Sequence, residues 1–197
     1  ISILLPYKEN YSPTYAGAVS IFVNSTSKIS KYKKNITIFG STDYEKILSK
    51  NYKNIKLNKH FLSSQSKEYV KKFLEIQKND KPDIIEVHNR PIYVSDLTEL
   101  KTDIVLYFHN DPITMMGSKT INERISLLNQ CSKIIFNSEW SKKQFLLNLN
   151  NFYHKSKKLE VIHQSVNKTD VNIQQKQKII TFVGKLNSAK GYDIFAK

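Results

Sequence analysis

The sequence predicts an α/β domain built on a doubly wound parallel sheet, and three observations carry that prediction. Short apolar runs rich in β-branched residues alternate with longer segments of helical period. The composition, 40% hydrophobic and 11% aromatic, suits a packed globular core rather than disorder. The 197 residues suffice for one domain plus a piece of another. Strands and helices in alternation are the mark of a parallel sheet covered on both faces.

Taken in order, Ile1–Leu5, Ile36–Phe39, Ile84–Val87, Ile104–Phe108, Ile134–Phe136 and Leu159–Ile162 read as strands. Between them Ala16–Tyr32, Ser66–Lys78, Lys119–Gln130 and Glu139–Leu149 read as helices. The second of these places Tyr69, Val70, Phe73, Leu74 and Gln77 on one face, with Ser66 as the candidate N-cap. Val166–Gln177 is polar and glutamine-rich, and reads as a linker. Lys178–Gly184 then reads as a buried strand, followed by a loop with Lys185, Lys190 and Gly191 and by a helix start at Tyr192. The expected organisation is a Rossmann-like domain over residues 1–165, a linker over 166–177, and an incomplete second Rossmann-like domain over 178–197. The chain opens without methionine inside an apolar run and stops at a helix start, so it looks truncated.

No apolar run approaches the roughly 20 residues needed to span a bilayer. The single cysteine, Cys131, sits near an expected helix end and can form no internal disulfide, which points to the cytoplasm and to a structural role. The net charge of +14 comes mostly from lysines scattered in pairs such as Lys33-Lys34 and Lys142-Lys143. Such scatter reads first as a solvated surface. Peripheral contact with an anionic membrane comes next, and nucleic-acid binding is not expected. Arg90, Lys185 and Lys190 are the three basic residues whose positions look chosen.

Ligands of doubly wound sheets collect at the carboxyl ends of the strands. After the first strand, Ala16-Gly17-Ala18 at a helix start would let backbone amides approach an anion; the bland reading is a plain turn in which Gly17 permits close packing. After Ile84–Val87 come His88, Asn89, Arg90 and Pro91. His88 and Arg90 are candidates for binding a ligand, Arg90 through a phosphate or sugar hydroxyl; the alternative is a turn in which His88 bonds to backbone. After Ile104–Phe108 comes His109, followed by Asn110 and Asp111, either a catalytic group or a satisfied structural histidine. Ser138 reads as an N-cap and Trp140 as a packing anchor. No GxGxxG, GxSxG, P-loop or HExxH pattern occurs, and no carboxylate pair is spaced as a general acid and base.

These segments together resemble the retaining glycosyltransferases of family 4, whose two Rossmann-like domains face across a cleft in the GT-B architecture. The resemblance runs from the Gly17 loop through His109 and Ile134-Ile135-Phe136-Asn137-Ser138-Glu139-Trp140-Ser141 to Val161–Asn167. It ends in Phe182-Val183-Gly184-Lys185-Leu186-Asn187-Ser188-Ala189-Lys190-Gly191, the most specific segment. It implies sugar transfer from a nucleotide-sugar donor to a glycan or lipid-linked acceptor, with retention and without a required metal or cofactor. In that reading Lys185 and Lys190 meet the donor diphosphate, His109 lies near the transferred sugar, Gly17 approaches the diphosphate and the acceptor, and His88 and Arg90 fall to the acceptor. Lysine stands at 185 where the family usually has arginine, and Gln164-Ser165-Val166-Asn167 replaces the usual Asn-Gly-Val-Asp. The paired glutamates of the family are absent up to Lys197, so this fragment is expected to transfer no sugar alone. Family habit and the basic surface suggest cell-envelope polysaccharide synthesis at the inner face of the membrane. Two rivals stand beside this expectation: a GT-B-like sugar-nucleotide epimerase, and a non-catalytic basic Rossmann-like binding module.

Overall fold

A computed structural model describes residues 1–57, 64–166, 178–184 and 188–196. The chain divides into two compact units, Ile1–Gln164 and Ser165–Lys197. The first holds a seven-stranded sheet: β1 (Ser2–Leu4), β2 (Thr37–Gly40), β3 (Tyr52–Asn54), β4 (Ile84–His88), β5 (Asp103–Phe108), β6 (Lys133–Phe136) and β7 (Leu159–Val161). The order is β3-β2-β1-β4-β5-β6-β7, and every neighbouring pair is parallel. The doubly wound parallel sheet is therefore as the alternation predicts. β3 escapes a periodicity reading because it has three residues and buries only Tyr52.

Side chains alternate across the sheet because successive strand residues point to opposite faces. Leu4, Phe39, Ile85, Val87, Ile104, Leu106 and Phe108 enter one core cluster. Into it pack α2 (Gln65–Asn79), α3 (Val94–Leu97), α4 (Ile121–Gln130) and α5 (Glu139–Leu146). Ile3, Leu5 and Ile38 enter the other cluster, together with Val19 and Val23 of α1 (Ala18–Ile29). In α2 the buried residues are Tyr69, Val70, Phe73, Leu74 and Gln77, the face that the 3.6-residue period predicts. Its N-cap is Ser64 rather than Ser66, whose hydroxyl instead donates to the Tyr93 hydroxyl at 3.2 Å. α4 begins at Ile121, behind a reciprocal capping box between Thr120 and Glu123.

Several expectations need correction. The helix expected over Glu139–Leu149 stops at Leu146, and a short α6 (Asn151–His154) follows, with Asn148 in the left-handed region at φ 62°. Trp140 is 57% exposed and anchors no packing; the buried aromatic of α5 is Phe145. Arg124 is a further basic residue with a fixed place. It is buried in α4 and donates to the carbonyls of Lys119 and Leu147 at 2.8 and 2.7 Å, joining α4 to the end of α5. Cys131 caps α4 in the core, where burial pushes its thiol up to about 12, as its structural reading requires.

The second unit is described in part. It contains a 3-10 turn, Ser188–Lys190, and the four-residue α7 (Tyr192–Phe195). Lys178–Gly184, expected as a buried strand, forms none, and Ile179, Ile180 and Val183 are 67%, 87% and 90% exposed. A strand needs a neighbour for its backbone N–H and C=O groups. Among the described residues of this unit there is no other strand, and no second domain is discernible there. Residues 167–177 of the expected linker lie outside the described residues.

Candidate functional site

The strand order reverses direction between β1 and β4: β2 and β3 lie to one side, β5 to β7 to the other. Such a switch point leaves a crevice at the carboxyl ends of the strands, because the flanking connections diverge to opposite faces. A cavity of about 470 Å³ lies there. Pro6 and Glu9 line it after β1, Ala18 and Val19 from the start of α1, Asn89 and Arg90 after β4, and His109 and Asn110 after β5. Gln164, at the end of the first unit, completes the wall.

His109 is fixed from several sides. Its backbone N–H donates to Asn89 Oδ1 at 3.2 Å, and its carbonyl accepts from Asn137 Nδ2 at 2.8 Å. Asn89 itself adopts φ 56°, and its N–H donates to the Tyr107 carbonyl at 2.8 Å. Asparagine tolerates this left-handed conformation better than most residues, so one Asn both turns the chain after β4 and holds the loop after β5. The imidazole stacks on Tyr107 at 4.5 Å between centroids and takes the edge of Phe22 from α1 at 5.2 Å.

Behind His109 runs a chain of polar side chains. His109 Nε2 lies 2.8 Å from His88 Nδ1, and His88 Nε2 lies 2.6 Å from Glu86 Oε1. His109 Nδ1 lies 2.6 Å from Gln164 Nε2 on the cavity side. Glu86 and His88 share a face of β4 because they are two residues apart, while Ile85 and Val87 point into the apolar core. Burial and, secondarily, the nearby His88 push His109 down to about 3, so the ring is neutral across the ordinary pH range. Burial alone would raise Glu86, but the hydrogen bond from His88 and the electrostatic pull of that N–H outweigh it and hold the carboxyl below its usual range. Tyr107 is pushed up to about 12 by burial and by the Glu86 carboxylate.

At the start of α1 the cavity wall carries a carboxylate. Glu9 Oε1 accepts from the Ser20 N–H at 3.1 Å, at the positive end of the helix. Gly17, the N-cap of α1, has an ordinary φ of −71°; what it supplies is space. A Cβ there would stand 1.9 Å from Glu9 Oε1. Glu9 thus occupies the place expected for an anion beside Gly17.

Of the residues singled out in the sequence, the fold brings His109 and Arg90 to one cavity, with Gly17 beneath its Glu9 wall. His88 is fully buried and reaches the cavity through His109; its ring bonds to side chains rather than to backbone. Arg90 Nη1 donates to the Asn89 carbonyl at 2.8 Å. Lys190 is exposed at the end of the 3-10 turn in the second unit. Lys185 lies outside the described residues. Glu9, Glu86, Asn89, Asn137 and Gln164 join the site without having been nominated. The Glu86-x-His88 spacing on a strand was the readable signal for one of these, Glu86. No group of three or more His, Cys, Asp or Glu side chains that could hold a metal occurs among the described residues. None of the described helices is long and apolar enough to cross a membrane.

No protein-family model matches the chain, and no curated protein matches it in sequence. Solved structures do. HepE of Anabaena, crystallised in complex with UDP-glucose, superposes with a TM-score of 0.54 at 13% identity over 84% of this chain and 44% of that one. The UDP-GlcNAc 2-epimerase of Methanocaldococcus jannaschii matches at 17% identity with a TM-score of 0.49, over 83% of this chain and 45% of the epimerase. The chain is Rossmann-like in fold. It spans less than half the length of either solved protein.

Proposed function

We propose that this chain supplies one Rossmann-like half of an enzyme acting on a nucleotide sugar. The observation that carries the proposal is the cavity at the β1/β4 switch point, where a neutral histidine, a guanidinium, a carboxylate and three amide side chains converge. The likeness in fold to HepE, solved with UDP-glucose, supports the ligand class. Two reactions follow from it. In one, a sugar is transferred with retention to a glycan or lipid-linked acceptor, with Arg90 on the acceptor side and His109 beside the sugar. Lys185 and Lys190 would there stabilise the departing diphosphate, where charge develops. In the other, the nucleotide sugar is isomerised or hydrolysed without an acceptor. That reading is favoured by the Glu9 carboxylate lining the same cavity as His109, a base beside a fixed hydrogen-bond acceptor.

Titration of the chain with UDP-glucose, followed by amide NMR, tests the common part. Shifts at His109, Asn110, Arg90 and Ala18 are expected. Shifts confined to surface lysines, disappearing steeply with salt, would instead mark a basic binding module. Product analysis of the active enzyme with and without an acceptor then separates transfer from isomerisation.

A further inference from the structure

The polar chain behind His109 has a direction, and elementary donor-acceptor arithmetic fixes it. An ionised carboxylate only accepts, so the short contact with Glu86 places a proton on His88 Nε2. A neutral His88 then offers a lone pair at Nδ1, and His109 Nε2, 2.8 Å away, must donate. The neutral His109 ring is left with an unprotonated Nδ1, and this is the nitrogen that faces Gln164 at the cavity. Gln164 closes the line at the far end, its amide 2.6 Å from Nδ1, and a half-turn of that amide presents either N–H or oxygen to the ring. A doubly protonated His88 would reverse the order, setting His109 Nδ1–H against the Gln164 amide oxygen, so the two states differ in which nitrogen of His109 carries the proton.

We infer that Glu86 and His88 are positioning residues for His109, holding its proton on Nε2 so that Nδ1 faces the cavity as an acceptor for a substrate hydroxyl, whose place the Gln164 amide now takes. The hydroxyl part rests on the nucleotide-sugar reading above; the tautomer does not. Several features make the arrangement specific. His88 is fully buried and pinned at both nitrogens, so it cannot reach substrate and acts only through His109. Phe22 and Tyr107 fix the planes of both rings, and a half-turn of either ring within its plane would put carbon where the nitrogens now bond. The depressed basicity of His109 agrees with an acceptor that stays unprotonated. Other ionisable groups around it are Tyr107 on β5 and, along the cavity wall, Glu9 and Arg90. A second-sphere carboxylate that sets the tautomer of a histidine is a general way to decide which nitrogen meets the substrate.

The test is nitrogen-15 NMR of the imidazoles in the ligand-free chain, at about pH 8 and so above the ordinary imidazole range. His109 is expected as a single tautomer, with Nε2 protonated and Nδ1 bare. Glu86→Ala should release His88 and add a population of His109 protonated at Nδ1, whereas Gln164→Ala should leave the tautomer unchanged. A wild-type signal showing Nδ1 protonated overturns the inference without any variant. So does a tautomer that shifts in Gln164→Ala and not in Glu86→Ala, because the cavity side would then set it. These spectra need no nucleotide sugar, so a failure to bind UDP-glucose and a failure of the relay are separate results.

Discussion

The two faces of β4 and β5 differ sharply, although the same two strands present both. On one side Ile85, Val87, Leu106 and Phe108 are buried in a continuous apolar cluster. On the other, Glu86, His88 and Tyr107 form a polar layer that leads out to His109 and is bounded by the edge of Phe22. The apolar face is held by non-directional burial, which tolerates changes of shape at conserved volume. The polar face is held by hydrogen bonds whose donors and acceptors must alternate in one order. One face secures the sheet, and the other aims a nitrogen.

That contrast can be broken most severely from the apolar side. Phe108→Ala should cost about 3–5 kcal/mol of stability, read as a lower midpoint in urea denaturation; a loss under about 1 kcal/mol would mean that Phe108 does not carry the core.

The polar side is better probed by acid. The folded-state pKa of His109, about 3, lies below the ordinary 6.5, so between these values the unfolded chain binds more protons. Stability should therefore be full above the ordinary value and fall as pH drops through that window, by on the order of 2 kcal/mol. The lowered Glu86 acts in the same sense below its ordinary 4.5. His109→Phe, which keeps the stack, should flatten the upper part of the profile; an unaltered profile would place the titration elsewhere.

The smallest effect is expected at the cavity rim. Gly17→Ala places a Cβ on Glu9, whose carboxylate must swing off the α1 terminus at a cost of about 1 kcal/mol. Thermal denaturation measures it, and a double variant with Glu9→Ala should show no additional loss. Additive losses would show that Gly17 and Glu9 do not interact.

How much of this was legible in the sequence differs between the two faces. Ile85 and Val87 announce a buried strand through composition alone, and His109 and Arg90 draw notice because they follow strands. Glu86 does not. Its environment depends on His88, on a ring contributed by β5 and on Phe22 from a helix more than sixty residues earlier. Trp140 shows the reverse failure: a large aromatic at a plausible helical position turned out to face solvent, because Phe145 fills the core on that helix. Lys178–Gly184 has the composition of a strand but finds no strand to pair with among the described residues of its unit.

Periodicity and composition therefore determined the layers of this protein: parallel strands, the buried stripe of α2, and a crevice expected at the strand ends. Those features follow from local geometry, since a period of two or of 3.6 residues decides which side chains share a face. The tertiary structure alone decided that β1 and β4 meet at the switch point, that Glu9 occupies the end of α1, and that Glu86, His88, His109 and Gln164 form one hydrogen-bonded line. Hydrogen bonds depend on distances of a few tenths of an ångström between residues far apart in sequence, and no local pattern encodes them.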